Sequence, residues 1–431
     1  MGTFKFSMTM LVKDYKKSLF YGLTLVFAVA VSFIFFNIIN NKDLADQMIS
    51  SSGGRWQDVN MPFSSILSFL IVCFCCFMIF FANNFFLTRK TTELAIMGMS
   101  GSGYINSTMY VLYQTFVLLA LATPLGILIG RLTVPYSNAY MYSMLNVNKD
   151  VHIIPREAYI YSFLVVAIVL AMICVLTAGY LHRNDILVLL SQENEMNFNK
   201  GSKKIPPILY FGIYLLGIIM MFMNPHQANA YIAPTLVGVA GAVGIIRFVL
   251  PDIVRKLKQN ILLTKRYALI SVSNLSYSIQ RSLLLFTLMT VSVTGMMAVL
   301  AAYKDSPREF VTSVIGYIVV IVLLVVSIIY KLSMEAATRK TLFFNLWKIG
   351  YTREELKKII RQEVIYYYLI LILIPLIYIL FIAGRFIYYG DMSFRFAIVF
   401  SLTYIIPIIL SGFMTYFQYV SAVVKPMSGG K

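Results

Sequence analysis

Charge is scarce along this chain, and histidine, cysteine and tryptophan are scarcer. Only 13% of the 431 residues are charged and 59% are hydrophobic, with a mean hydropathy of +0.78. A soluble domain is about a quarter charged and about half apolar, so a soluble globular protein is excluded. The three histidines, His152, His182 and His226, fall on loops assigned to different sides and form no constellation. Of the four cysteines, Cys73, Cys75 and Cys76 share one apolar run and Cys174 lies in another. Such thiols behave as small apolar residues, which leaves no metal centre and no structural disulfide. No Asp or Glu lies deep in any apolar run, which argues against an ion-coupled secondary transporter and an intramembrane hydrolase. No G-x-x-x-x-G-K-[ST] occurs either, since Gly101-Ser102-Gly103 lacks the lysine and the preceding strand. The chain is therefore read as a non-enzyme that binds no cofactor of its own.

What is present is a series of apolar runs. Ten reach membrane-crossing length, at about 18–40, 63–87, 109–131, 158–181, 205–223, 228–250, 282–303, 311–332, 364–384 and 394–417. Roughly 20 apolar residues cross the ~30 Å hydrocarbon layer as a helix, and only helices or closed barrels satisfy their backbone there. The expected fold is an all-α integral membrane protein. With both termini cytoplasmic, 27 of the 36 Lys and Arg residues lie on inner segments and 9 on outer ones. This is the positive-inside pattern, so the net charge of +18 reports orientation first and anionic headgroups second. Nucleic acid is not needed to explain it. The first run is too long for a signal peptide, and no small-residue cleavage pattern follows Asn40, so it is expected to remain.

A duplicated pattern organises the chain. A lead-in over Phe4 to Leu19 places Met8, Leu11, Val12, Tyr15 and Leu19 on one face and Lys13, Lys16 and Lys17 around the other. Such a segment lies in the membrane interface or serves as a plain positive flank. The design recurs at Ser271 to Leu285. Lys17-Ser18-Leu19 aligns with Arg281-Ser282-Leu283, Thr88 with Thr338 and Gly130-Arg131 with Gly384-Arg385, at offsets of 264, 250 and 254 residues. Residues 1–182 and 261–431 then form two parallel four-span units, joined by residues 183–260, which hold a linker and spans 5 and 6 (a 4+2+4 layout). Each copy carries Thr-Arg-Lys-Thr, at Thr88 to Thr91 and at Thr338 to Thr341, between apolar runs.

The first of these elements reads Arg89-Lys90-Thr91-Thr92-Glu93-Leu94-Ala95-Ile96-Met97-Gly98. The second runs from Arg339-Lys340-Thr341 through Leu346-Trp347-Lys348-Ile349-Gly350 to Thr352-Arg353-Glu354-Glu355-Leu356. With the span order, these segments resemble the FtsX-like permease family, the membrane subunits of MacB-type (type VII) ABC transporters. The ten-span layout is closest to the Bce-type permeases. The resemblance implies that the two short cytoplasmic helices couple to a separate cytoplasmic ABC ATPase, two copies of which bind ATP and Mg. The coupling residues would be Arg89, Lys90, Glu93, Leu94, Met97, Gly98, Arg339, Lys340, Leu346, Trp347 and Gly350. Physically, an apolar ridge of Leu94, Ile96 and Met97 beside Arg89, Lys90 and Glu93 suits a groove, and Gly98 and Gly350 suit left-handed helix ends. A basic inner loop obeying the orientation rule is the simpler alternative.

One departure bears on the substrate. The Bce-type permeases carry a large extracellular domain between spans 7 and 8, and the MacB-like ones between spans 1 and 2. The loops here are only Tyr303 to Phe310 and about Asn41 to Pro62. A substrate would be held by the helices and reached from the bilayer, which favours an antimicrobial peptide, lipopeptide or lipid. Candidate contacts are Asn37, Asn83, Asn84, Gln114, Arg131 and Arg385, because polar groups in a membrane need partners; headgroup snorkelling is the alternative for the arginines. The expected function is export or membrane extraction by a permease of a bacterial cell membrane, with a low-GC Gram-positive composition. The competing reading is a permease that signals to a sensor kinase or a cell-wall hydrolase. The pair Glu354-Glu355 with Lys357 and Lys358 reads as a solvated helix face.

Overall fold

A computed structural model describes residues 3–13, 15–41, 63–145, 149–183, 206–223, 232–260, 266–302, 307–388 and 394–424. It is 94% helical, with no strand among the described residues. The helices are α1 (Thr3–Lys13), α2 (Tyr15–Asn40), α3 (Phe63–Met99), α4 (Tyr104–Leu145), α5 (Arg156–Arg183), α6 (Pro207–Met223), α7 (Ile232–Gly244), α8 (Leu250–Asn260), α9 (Arg266–Ala302), α10 (Pro307–Thr338), α11 (Lys340–Lys348), α12 (Arg353–Tyr388) and α13 (Phe394–Val423). Nine described helical stretches are long and apolar enough to cross a membrane. The chain is thus an all-α, multi-pass membrane protein. The tenth expected span is α6, a shorter apolar helix of 17 residues, or about 26 Å at ~1.5 Å per residue. The loop from residue 42 to 62 and most of the linker at 184–205 lie outside the described residues.

The chain divides into two compact units. One comprises residues 1–202 with 307–315, and the other residues 203–306 with 316–431.

In the first unit α2 is the central helix. It packs on α3, α4 and α5. Glycines let α2 and α4 approach closely: a Cβ at Gly126 would sit 2.7 Å from Val29 and 2.8 Å from the Val26 carbonyl, and one at Gly130 2.9 Å from Phe33. Polar side chains stitch the same interface. Asn37 Nδ2 donates to Asn138 Oδ1 at 2.9 Å, Asn138 Nδ2 to the Val151 carbonyl at 3.0 Å, and Asn41 Nδ2 to Tyr142 Oη at 2.8 Å. At the other end of the helix pair, α1 is fixed to α4 by Ser7 Oγ donating to the Tyr110 carbonyl and Gln114 Nε2 donating to the Ser7 carbonyl. Each such bond nets only about 1 kcal/mol, but leaving either group buried and unmade would cost more.

In the second unit α12 packs on α9 and α13, and α6 pairs with α7. The α6–α7 contact is closer still, since a Cβ at Gly217 would lie 2.5 Å from the Gly238 amide nitrogen and one at Gly241 2.4 Å from that of Tyr214. Tyr378 on α12 closes over this pair and donates to the Pro234 carbonyl at 2.9 Å. Between α7 and α8 a π-helical turn spans Ile245–Val249, in which the Leu250 amide reaches back to the Ile245 carbonyl. Pro251 follows directly. It lacks an amide proton and would clash with an ordinary α-turn before it, which accounts for the looser turn.

Backbone geometry and burial recur at one sequence separation. Among the described residues two glycines have positive φ, Gly101 (83°) and Gly350 (104°), and they are 249 residues apart (101 to 350). The helices that follow them start at Tyr104 and Arg353, again 249 apart (104 to 353). The same spacing pairs buried residues before the glycine (Cys75 with Leu324, Ile79 with Ile328, Lys90 with Arg339, Leu94 with Phe343) and after it (Tyr110 with Ile359, Gln114 with Glu363). Ahead of these, the spacing of 264 pairs buried Ser7 with Ser271 and Ser18 with Ser282 (7 to 271, 18 to 282). Ser271 Oγ donates to the Ile359 carbonyl at 3.1 Å, which matches the Ser7–Tyr110 bond position for position. The sequence pairing of Thr88 with Thr338 is one residue out of this register (250 against 249) and that of Gly130 with Gly384 five (254 against 249). Identical letters mark both motifs, but helix ends and burial set the register.

Candidate functional site

Two elements project past the apolar stretches of their helices. The first is the end of α3. Its apolar stretch stops at Thr88, and the helix runs on without a break to Met99. Leu94 and Ala95 face inward, while Ile96 (57% exposed) and Met99 (65%) face outward. The helix ends in a Schellman-type turn: the Gly101 amide donates to the Gly98 carbonyl and the Ser102 amide to the Met97 carbonyl, around the left-handed Gly101. Gly98 is thus still helical, and the left-handed residue is Gly101, three positions beyond the one the sequence suggested.

The second element is α11. Here the chain does break, since α10 ends at Thr338 and α11 begins at Lys340. Phe343 is its buried anchor and stacks edge-on against Tyr419. Leu342, Phe344, Trp347 and Ile349 are exposed, Ile349 to 73%. Lys348 lies over the Phe344 ring at 4.8 Å. Gly350 is the left-handed residue, as expected, with the Tyr351 amide donating to the Leu346 carbonyl. The next helix starts with a reciprocal cap in which the Thr352 amide donates to Glu355 Oε2 and the Glu355 amide to Thr352 Oγ1. The Lys357–Glu354 pair is on the surface at 2.9 Å, as the sequence pattern implied.

The cations behave differently from the expectation. The sequence pattern puts Lys90 on a polar docking face and the resemblance makes Arg339 a coupling residue, yet both are buried, at 1% and 6% exposure. Lys90 pairs with Glu93 at 2.8 Å, and Tyr110 Oη donates to the same carboxylate at 2.6 Å. Arg339 sits in a larger cluster. Its Nη1 donates to Glu363 and Tyr419, and its Nη2 to Glu335 at 2.6 Å, Ser278 Oγ at 3.0 Å and the Asn274 carbonyl at 3.0 Å. The guanidinium also lies over the Tyr277 ring at 5.2 Å. Lys331 Nζ pairs with Glu335 at 2.5 Å and donates to the Ser278 carbonyl at 3.1 Å. Two cations thus face two carboxylates in a buried, formally neutral cluster. Burial alone works against the charge on Arg339, but the carboxylates of Glu335 and Glu363 outweigh it and raise its pKa. Removing one partner from such a cluster leaves an uncompensated buried charge, at about 3–5 kcal/mol.

Sequence reasoning misses this cluster, because it places no acid deep in a span. Glu335 and Glu363 lie within the candidate spans Glu309–Ala336 and Arg353–Arg385. A signal was available: Lys331, Glu335 and Arg339 follow at i, i+4 and i+8, one face of a helix.

Other expected site residues separate. The side chain of Arg89 is outside the described residues. Glu93, Met97, Gly98 and Leu346 are half-buried, Leu94 is buried, and Lys340, Trp347 and Gly350 are exposed. Of the expected substrate contacts, Asn37 and Gln114 point their amides into helix packing, and Asn83 accepts a hydrogen bond from Tyr21 at 3.3 Å. Arg385 is fully buried. Asn84 and Arg131 are exposed, on different helices. Arg131 lies in the middle of the 42-residue α4, so it does not cap a helix end.

Comparison with known proteins adds no relative: no family model matches the sequence, and no curated protein matches it significantly.

Proposed function

We propose that the chain is the permease subunit of an ABC transporter, worked by a separate cytoplasmic ATPase that docks on the end of α3 and on α11, and that it exports or extracts an amphipathic molecule from the membrane. The observation that carries this reading is the pair of outward apolar surfaces. Ile96 and Met99 on one element, and Trp347 and Ile349 on the other, are exposed beyond the apolar stretches of their helices. Large apolar side chains held out just before the left-handed glycine of each element, though not at paired positions, suit grooves on two copies of one soluble partner. The matched glycines, helix starts and buried serines support two parallel four-span repeats, with the α6–α7 pair between them and both termini cytoplasmic. In this reading Lys90 and Arg339 hold the docking elements from within, and the outward apolar residues make the contact.

The test is affinity purification of the detergent-solubilised chain from its native host, followed by mass spectrometry. Two ATPase copies per chain are expected, and Met99→Asp combined with Ile349→Asp should lower their recovery at least ~10-fold, as loss of a central apolar contact does. Unchanged recovery with the double variant, or no ATPase at all, removes the reading. Co-recovery of a sensor kinase or cell-wall hydrolase would turn it towards signalling.

A further inference from the structure

The two projecting elements are alike in their left-handed glycines and unlike in how they join the helix before them. On the first, α3 is continuous, so its end can move only with the whole helix. On the second, Arg339 (φ −83°, ψ 0°) departs from ideal helix geometry between α10 and α11, joined to them by its amide donating to the Glu335 carbonyl and by the Phe343 amide donating to its own carbonyl. Two such backbone bonds leave a short helix room to tilt unless side chains hold the joint as well. Phe343 alone is buried on α11. The joint residue itself is held from four helices: by the Asn274 main-chain carbonyl and the Tyr277 and Ser278 side chains on α9, Glu335 on α10, Glu363 on α12 and Tyr419 on α13.

We propose that Arg339 and Glu363 form an ionic latch that fixes the angle of α11 to α12, so that a push on α11 is passed to α12 as the motion of one body. This inference rests on the docking reading for its purpose but not for its test. Arginine suits such a joint because its planar guanidinium presents a fork of donors, which a lysine cannot reproduce. At the matched position of the first unit stands Lys90, whose Nζ pairs with Glu93 three residues along its own continuous helix.

Hydrogen–deuterium exchange of the full chain in lipid nanodiscs tests the proposal. In Glu363→Gln, which keeps the shape and removes the charge, the amides of 340–349 should exchange at least ~10-fold faster. The α9, α10 and α12 amides should accelerate less than those of 340–349, since an unpaired buried charge weakens the whole cluster, and the 94–101 segment of the first unit should keep its protection. Arg339→Lys, which keeps the charge and loses the fork, should give a smaller acceleration in the same segment, and it serves if the glutamine variant does not fold. Unchanged protection of 340–349 in both folded variants, or acceleration spread evenly over the second unit, would overturn the latch. Failure to recover an ATPase with the wild-type chain would remove the docking reading and leave the exchange result standing. With an ATPase recovered, Glu363→Gln should bind it as well as wild type does, because Trp347 and Ile349 are untouched; a ~10-fold loss of binding would instead make the cluster part of the docking surface.

Discussion

At the scale of the residue, the left-handed glycines separate two readings of the same motif. A side chain at φ of 83° or 104° is strained by roughly 1–2 kcal/mol wherever it has room. Both sites do have room, since a Cβ on Gly101 or Gly350 would meet nothing within 4 Å. The cost of Gly101→Ala and of Gly350→Ala is therefore pure backbone strain, and each should lower the thermal midpoint in detergent. Gly98→Ala should be neutral or stabilising by up to ~1 kcal/mol, because alanine favours a helix interior. A destabilised Gly98→Ala beside an unaffected Gly101→Ala would contradict the helix ending described above.

At the scale of the element, helix spacing decides which glycines matter. The Cβ of Gly126→Ala would enter the 2.7–2.9 Å shell of Val29 and Val26, pushing α2 from α4 at about 1–3 kcal/mol. Gly384→Ala, inside α12, meets nothing within 4 Å and should melt at or slightly above wild type. That contrast also marks what the sequence could convey. The helices themselves were legible, because apolar runs of this length have few other solutions in a bilayer. The lead segment was legible as helix but its packed face was not, since Ser7 is buried against α4 while Val12, Tyr15 and Leu19 are exposed. The inward turn of Lys90 and Arg339 was not, since a cation beside an apolar run reads as surface until its acids are known to fold onto it. Glu363 is 24 residues from Arg339, a pairing that only tertiary structure creates. The break before α11 was hidden as well: Thr-Arg-Lys-Thr is continuous helix in one copy and a joint in the other, so the four letters do not decide it.

At the scale of the whole molecule, the expected topology, which puts 27 Lys and Arg residues inside and 9 outside, is open to a direct test of orientation. Single cysteines placed at Gly101 and Gly350 in a background without native cysteines should both react with an impermeant maleimide from the cytoplasmic side. Labelling from opposite sides would break the parallel layout. Buried charge and surface charge should also part company: raising salt to ~1 M screens the exposed Lys357–Glu354 pair, while the Arg339 cluster, out of water, should keep its contribution to the melting temperature.

The chain has two tryptophans, Trp56 and Trp347, and the second is 38% exposed on α11. With Trp56→Phe, all indole emission would arise from the proposed docking helix. Red-shifted in the free chain, it should move to the blue as a partner covers the ring, and iodide should quench it less. The element proposed to receive the partner thus holds a native optical probe, and titrating the purified ATPase against it would read occupancy of the second element alone.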